Sequence, residues 1–350
     1  MSTIADTSRI SAVRHAAATR RRNVLLGLAL ALLAAFALAL YLGDYPVPVS
    51  GIVRSLLSPL TGLADRSVGF IVLQVRLPRA ILAVLSGASF ALAGIIFQTL
   101  LRNPLASPDI IGIAHGASAA AVFCIIILGW SGIAVSFGAF GGAVLTALAI
   151  YFLSWRDGVT AFRVVLIGIG MAAMLAALIS YLFTRARLNE VQQAMAWLVG
   201  SLNAARPGDS IVLAGAMLVL IPLMIGLVRA LDAMELGDDT ARSLGAPVEL
   251  TRLGLMLVAV GFAAFATAAV GPVGFVAFVS GPLARSLLRG AGHGFAQAAL
   301  VGALVMLVSD LLAQHLLPTV QLPVGVVTGA CGALFLLWLL MASGRSGRVN

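Results

Sequence analysis

Few side chains in this sequence have the type and spacing that acid–base, metal or nucleotide chemistry requires. All 22 Lys-or-Arg positions are arginine, and a nucleotide-binding P-loop needs a lysine, so the chain carries no such loop. The four histidines are scattered and lack the spacing of metal ligands: His15, His115, His293 and His315. We interpret His115 as a partner in a local hydrogen bond. The sequence therefore predicts no catalytic residue, no metal site and no cofactor in this chain.

Asp310 is the main charged residue inside an apolar stretch. A charge at the bilayer centre costs ~2.5–3.5 kcal/mol, so such residues often mark ion or proton pathways. Asp310 lies toward one end of its stretch, where pairing or interfacial hydration is sufficient. A single aspartate does not indicate a proton-coupled transporter.

The composition shows what kind of elements must position these residues. Apolar residues make up 61% of the chain and charged residues 10%, and the mean hydropathy is +1.08. Soluble domains carry roughly 25% charged residues, so we interpret the chain as a polytopic membrane protein. The net charge of +9 comes from arginines that flank apolar runs, as topology determinants do, and it does not indicate nucleic-acid binding. Cys124 and Cys331 lie inside apolar runs, and we expect both to be small core residues.

Apolar runs predict an all-α domain of about ten transmembrane helices between residues 24 and 343. The predicted spans are 24–43, 77–101, 109–129, 131–154, 163–183, 210–231, 252–271, 273–288, 295–316 and 323–342. Residues 1–23 and 344–350 form the two tails. An even number of spans puts both tails on one side, and 15 of the 22 arginines then share that side. The positive-inside bias makes it the cytoplasmic side.

A polar turn interrupts the apolar sequence at residues 102–109. Asn103-Pro104 ends the preceding helix, because proline restricts the residue before it and cannot donate a backbone hydrogen bond. Ser107, Pro108 and Asp109 then predict a helix start, with serine at N-cap, proline at N1 and aspartate in the first turn. On the predicted topology this turn faces the cytoplasm.

Residues 232–250 form a second distinct loop on the same side. Asp238 and Asp239 are predicted to cap a short helix, Gly245 to close it in a left-handed conformation, and Pro247 to start the next helix. The predicted contact surface comprises Leu236, Gly237, Asp238, Asp239, Ala241, Leu244 and Gly245. A compact helix of this kind outside the bilayer favours a partner-binding surface, and a merely well-ordered loop is the alternative.

Two further short helices are expected on the outer side. Residues 44–75 predict an interfacial helix after Pro48, and residues 185–210 contain an apolar stretch too brief to span.

Several long motifs closely resemble the FecCD permeases, the membrane subunits of ABC importers for ferric siderophores, haem and vitamin B12. Residues 76–118 are similar to the family's signature region, and residues 236–245 to its cytoplasmic coupling loop. Residues 271–279 and 322–340 match its later helices. The resemblance implies a BtuC-like permease fold in the bacterial cytoplasmic membrane. The motif at 103–113 resembles the siderophore permeases more than the cobalamin permeases and favours a ferric siderophore as cargo, with vitamin B12 and haem as the alternatives within the family.

The resemblance also implies partners. It implies a second permease copy or a related permease, two cytoplasmic ATPase subunits and an extracytoplasmic substrate-binding protein, with residues 163–183 and 323–342 lining the pathway. Arg76 and Arg79 are then candidate docking residues for the binding protein, because arginine on the outer side runs against the topology bias. An ion-coupled secondary transporter and a non-transporting scaffold are the alternatives from other classes.

Two positions depart from the family pattern. Gly281-Pro282 replaces a usual Pro-His, which puts a local helix end in doubt, and Gln314 replaces a usual arginine. The second change is expected to weaken one outer docking contact.

Overall fold

The computed structural model describes residues 3–43, 45–61, 66–109, 111–155, 161–289, 293–317 and 321–346. Every secondary-structure element in these ranges is a helix, which confirms the predicted class. In chain order they are α1 (Thr3–Tyr41), α2 (Val49–Thr61), α3 (Arg66–Phe70), α4 (Leu77–Leu100), α5 (Ile113–Ile126), α6 (Ile133–Ser154), α7 (Ala161–Arg185), α8 (Leu188–Leu198), α9 (Pro207–Glu235), α10 (Asp238–Ser243), α11 (Val248–Val270), α12 (Val276–Leu288), α13 (Phe295–His315) and α14 (Val324–Ser346). A π-helical segment, Ile71–Arg76, joins α3 to α4.

Each of the ten predicted spans coincides with a helix. Within the described ranges, seven helical stretches are long and apolar enough to cross a bilayer: Arg14–Tyr41, Ser67–Leu100, Ile133–Ser154, Phe162–Arg185, Pro207–Glu235, Val248–Val270 and Phe295–His315. The other three predicted spans correspond to the shorter apolar stretches Ile113–Ile126, Val276–Leu288 and Val324–Leu337. Residues 3–23, predicted as a tail, continue α1 as helix.

The centre of the molecule is α4, which packs against α9, α11, α12 and α13. In the stretch Ser67–Leu100, 83% of the most apolar window is buried, against 11% in Phe162–Arg185. Small residues allow this packing: a methyl group at Gly94 would overlap the Ala277 carbonyl of α12, and one at Gly87 would overlap the Gly302 carbonyl of α13. The helix backbones therefore lie in direct contact around α4.

The cysteines differ in environment. Cys124 is buried against Gly138 of α6, as expected for a small core residue. Cys331 is exposed on α14, so the prediction that it is a core residue is wrong. An apolar run in a membrane protein does not distinguish a core face from an outward face, because both are apolar.

The two predicted short helices are α2, which begins immediately after Pro48, and α8. The loop after α8 lies directly against the ends of α11 and α14. The Ser201 amide donates to the Val270 carbonyl (2.8 Å), and the Gly325 amide donates to the Gly200 carbonyl (3.2 Å). Gly200 (φ +72°) and Gly271 (φ +78°) turn the chain here, and a Cβ at Gly325 would overlap the Val199 carbonyl. We call Gly200, Gly271 and Gly325 the glycine seam.

Candidate functional site

The polar turn begins where α4 ends, as predicted. The Asn103 amide donates to the Gln98 carbonyl (3.0 Å), and the Asn103 side chain accepts the Leu105 amide (2.9 Å). Arg102 adopts φ +47°, an uncommon conformation for a residue with a side chain. Asn103-Pro104 therefore ends the helix through a local turn held by its own hydrogen bonds.

The predicted helix start at Ser107, Pro108 and Asp109 is wrong. These residues form a turn in which the carbonyl of Ser107 accepts the Ile111 amide (3.2 Å) and that of Pro108 accepts the Ile113 amide (3.2 Å). The helix α5 starts at Ile113, and its N-cap is Gly112 at φ +90°. Tertiary packing overrides the local signal, because Ser107 and Ile111 are buried and Gly112 meets the backbone of α7, where a Cβ would lie 2.9 Å from the Gly168 carbonyl.

Asp109 lies in the polar turn outside the spanning helices. Burial raises the pKa of its carboxyl group to about 7, because a desolvated carboxylate favours the protonated form. The Nδ1 atom of the His115 ring is buried and has no hydrogen-bond partner among the described residues, so the predicted local hydrogen bond of this histidine stays a prediction.

The second loop forms the short helix α10, and its C-terminal cap matches the prediction. Gly245 has φ +81°, its amide donates to the Arg242 carbonyl (3.0 Å), and the Ala246 amide donates to the Ala241 carbonyl (2.9 Å). This is the Schellman pattern of a left-handed helix end. The next helix, α11, begins after Pro247.

The N-terminal cap of α10 differs from the prediction. The N-cap is Gly237 at φ +106°, and no side chain caps it; Asp238 and Asp239 occupy the first turn. Their carboxylates form ion pairs instead, Asp238 with Arg252 (2.7 Å) and Asp239 with Arg242 (3.1 Å). Both carboxylates still lie at the positive end of the helix dipole.

The apolar residues of α10 and its flanks divide into a packed set and an exposed set. Ala241 is fully buried against Met234 and Val248, which fixes the helix to α9 and α11. Leu236 and Leu244, at its two ends, are 66% and 65% exposed. Two exposed leucines beside a rigid, doubly anchored helix form an apolar contact surface outside the predicted spans.

Arg102 connects the polar turn to this loop. Its guanidinium donates to the Met234 carbonyl (2.6 Å) and lies 3.7 Å from the Asp238 carboxylate. On the other side Arg252 of α11 holds both Asp238 (2.7 Å) and Glu249 (3.3 Å). The two loops predicted separately therefore form one surface.

A cleft of about 820 Å³ opens between this surface and the ends of the spanning helices, and residues of both line it. The end of α4, the polar turn, and the ends of α9 and α12 line it, together with His293. His293 bridges to α9 through Asp232 (3.2 Å) and Glu235 (2.9 Å) and stacks on Phe295. Asp238 is the residue of α10 that lines this cleft.

Gly281 and Pro282 do not end a helix, since α12 runs from Val276 to Leu288 through both. The glycine makes room for Gln98 of α4, whose side-chain oxygen a Cβ at Gly281 would overlap. That oxygen accepts a hydrogen bond from Arg285 (2.6 Å), and the Gln98 amide donates to the Phe278 carbonyl (3.0 Å). The departure from the family pattern thus accompanies a polar tie between α4 and α12.

Arg76 lies on the predicted outer side, but its side chain is buried, with the whole residue 9% exposed. Its guanidinium donates to three backbone carbonyls at and after the end of α1: Leu40 (2.8 Å), Tyr41 (3.0 Å) and Tyr45 (2.5 Å). Cations stabilise helix C-termini because the last carbonyls carry negative partial charge. Arg76 therefore fixes the end of α1 to the π-helical segment, whatever further role it has.

Arg79 forms a bidentate ion pair with Asp310 of α13, with both N–O distances at 2.9 Å. The side chains are 13% and 3% exposed. Gln314 donates to the same carboxylate (2.8 Å), and Arg79 also donates to Asn203 in the α8–α9 loop (2.8 Å). Pairing, one of the two states expected for Asp310, is the one observed. Docking by Arg76 and Arg79 stays a prediction.

Sequence reasoning missed four residues of these networks: Arg102, Arg252, Asn203 and Gln98, the last of which accepts a hydrogen bond from Arg285. Arg102 had a usable signal, since it is the first residue of the polar turn and lies outside the predicted spans. Asn203 and Gln98 carried none, because their partners lie 124 and 187 positions away in sequence.

Comparisons with known proteins agree with this architecture. The profile of the FecCD transport family matches residues 31–342. The ferric enterobactin transport system permease protein FepG of Escherichia coli is 41% identical over 82% of this chain and 87% of its own length. The Fe(3+)-citrate import system permease protein YfmE of Bacillus subtilis is 37% identical over 82% of this chain and 86% of its own.

A solved structure has the same fold. It is a metal-chelate type ABC transporter in an inward-facing conformation, 24% identical, with a TM-score of 0.80 over 92% of this chain and 99% of the other. The family profile, the identities and the helix arrangement agree, and the chain belongs to the FecCD transport family.

Proposed function

We propose that this chain is the membrane permease of an ATP-driven importer and that its cargo is a ferric siderophore. The carrying observation is the surface around α10: a rigid short helix, capped at Gly245, that presents Leu236 and Leu244 outside the spans. Such a surface suits contact with an ATPase subunit. ATP hydrolysis is expected on that separate chain, since this one contains no lysine for a P-loop.

The buried ion pair supports this function over ion coupling. A proton-coupled transporter needs an intramembrane carboxylate that can load and release a proton. The Asp310 carboxylate is instead held by the Arg79 guanidinium through two hydrogen bonds, and Gln314 donates a third. Donors from α4 and α13 thus occupy both carboxylate oxygens, which favours a structural role for Asp310 in joining the two helices.

The cargo assignment rests on the relatives. Proteins similar to this chain are described as permeases for ferric enterobactin, Fe(3+)-citrate and achromobactin. Iron chelates are therefore the cargo class that we propose, and vitamin B12 and haem are the alternatives within the family.

The partners follow from the same proposal. One of the two ATPase subunits contacts the α10 surface of this chain. A second permease copy or a related permease completes the pathway beside α7 and α14, and a binding protein delivers the chelate. Both termini are proposed to be cytoplasmic. The exposed outer arginines Arg54, Arg185, Arg187 and Arg206 extend the proposed docking set beyond Arg76 and Arg79, because their side chains are accessible.

The test is transport in proteoliposomes that contain this permease with the ATPase and binding protein of its system. We expect uptake of a radiolabelled ferric siderophore to require ATP on the side of the membrane where the ATPase subunits lie. An imposed proton or sodium gradient should not change the uptake rate. Uptake driven by the gradient without ATP contradicts the ATP-driven class. ATP-driven uptake of cobalamin or haem, with none of ferric siderophores, contradicts the cargo alone.

A further inference from the structure

The short helix α10 has four attachments; one is the pair between Asp238 and Arg252 of α11 (2.7 Å), and among the described contacts a single attachment leads beyond α9 and α11. Its apolar side packs on the end of α9 and the start of α11 through Met234, Ala241 and Val248. Arg242 pairs with Asp239 (3.1 Å) and Glu249 (3.5 Å), and these contacts remain within α10 and α11. Arg102 alone among the described ion-pairing residues joins α10 to the turn that follows α4.

The contacts of Arg102 lie at a junction. Its Nη2 atom donates to the Met234 carbonyl in the last turn of α9 and pairs with Asp238 in the first turn of α10. One side chain thus bridges three elements: the polar turn, α9 and α10. Its backbone has φ +47°, a conformation that costs free energy in a residue with a Cβ and persists only where the surroundings impose it.

The polar turn is continuous with the most buried helix of the protein. The Asn103 amide donates to the Gln98 carbonyl at the end of α4, and the Gln98 side chain ties α4 to Phe278 and Arg285 of α12. Near the other end of α4, Arg79 is paired with Asp310 of α13. A displacement of the polar turn should therefore move α4, which contacts the neighbouring helices along its whole length.

We propose that Arg102 is a positioning residue for energy coupling: it links α10 to the end of α4, so that movement of α10 by the ATPase is passed to α4. The proposal rests on the proposed function and adds which helix receives the movement and through which side chain. The Arg102–Asp238 pair is partly exposed, with side chains 62% and 36% accessible, so its role is geometric and adds little to stability.

The positive φ at Arg102 provides a sharp test, since glycine adopts this conformation without strain. Arg102→Gly removes the guanidinium and keeps the backbone of the turn. We expect this variant to fold, to assemble with the ATPase and to keep its thermal stability. We expect the chelate transported per ATP hydrolysed to fall about tenfold, within the usual range of coupling between sites.

Two matched variants complete the experiment. Arg289→Gly is the control: it removes an exposed arginine at a similar positive φ (+49°) that lies at the end of α12 rather than on the α10 surface, and its transport per ATP should stay within about twofold of wild type. Arg102→Gln combined with Asp238→Asn should lose less than the sum of the two single losses, because both changes remove the Arg102–Asp238 pair; the Arg252–Asp238 pair is lost with Asp238→Asn alone as well and cancels from the comparison.

The outcomes separate this inference from the proposed function. If the wild-type complex transports and Arg102→Gly transports equally per ATP, the link is wrong and the proposed function stands. If Arg289→Gly loses as much as Arg102→Gly, removal of an exposed arginine at a positive φ explains the loss, and the assignment to Arg102 is overturned. If the wild-type complex shows no ATP-driven uptake, the proposed function itself fails.

Discussion

The guanidinium of Arg79 holds the carboxylate of Asp310 through two hydrogen bonds of 2.9 Å, although the residues are 231 positions apart in sequence. The pair joins α4 to α13 at the predicted outer side. Both side chains are largely removed from solvent, so each charge depends on the other.

Breaking this pair should destabilise the permease strongly. Asp310→Asn leaves the Arg79 guanidinium buried without its counter-charge, and we expect a loss of about 3 kcal/mol in unfolding free energy. Thermal unfolding in detergent measures it. The double variant Arg79→Gln with Asp310→Asn should recover part of the loss. Equal melting temperatures for wild type and Asp310→Asn would show that the pair is energetically neutral.

Gly245→Val should strain the C-terminal cap of α10. The residue has φ +81° and open space around its Cβ position, so backbone strain of ~1 kcal/mol or more is the whole effect. We expect insertion to be normal, and ATPase assembly and transport to fall. Gly226→Val is the matched control, because its Cβ position is equally open and its backbone is helical. Full activity of the Gly245→Val complex would refute the importance of the cap.

Leu244→Asp should weaken assembly with the ATPase without affecting the fold. Leu244 is 65% exposed, so the permease alone loses no packing, whereas an interface loses apolar burial and gains a desolvated charge. Co-purification of the ATPase with tagged permease measures the effect. Leu316→Asp, also exposed but on the predicted outer side, is the control. Equal recovery of ATPase with both variants would remove Leu244 from the contact.

The sequence predicted the helices well and the ties between them poorly, for physical reasons. A helix that crosses a bilayer needs a long apolar run, so all ten spans could be located in the sequence without knowledge of which helices pack against each other. The cap at Gly245 was equally local. The start of α5 was misplaced because packing of Gly112 on Gly168, not the Ser-Pro-Asp signal, decides where that helix begins. Arg79, Asp310 and Asn203 come together only in the folded chain.

The stability of the permease should fall as pH rises through the range where Asp109 titrates. Its folded-state pKa is raised from 3.8 to about 7, so the folded state binds the extra proton between those values. The stabilising effect is complete below the unfolded pKa and is lost as pH approaches 7. Melting temperatures measured between about pH 5 and about pH 8 should show this decline, and Asp109→Asn should abolish this component. An identical decline in Asp109→Asn would assign it to another group.

Docking of the binding protein should depend on exposed outer arginines. Reversing Arg187 and Arg206 to glutamate should slow association at low salt and make it less salt-sensitive, because these side chains are accessible. Arg79→Glu is a poorer test, since it also breaks the pair with Asp310. Surface-binding kinetics at about 20 and 200 mM salt measure the effect. Unchanged kinetics would leave these two arginines outside the docking surface.

The glycine seam has a mechanical consequence. Side chains packed between two helices can change rotamer when the helices shift, and this allows small relative movements. At Gly200, Gly271 and Gly325 the contacts are between backbone atoms, so no side chain can adjust to a shift there. The C-terminal end of α11, the N-terminal end of α14 and the loop after α8 are therefore expected to move together as one rigid unit. A methyl group added at Gly325 would overlap the Val199 carbonyl and would displace α14 from the loop after α8.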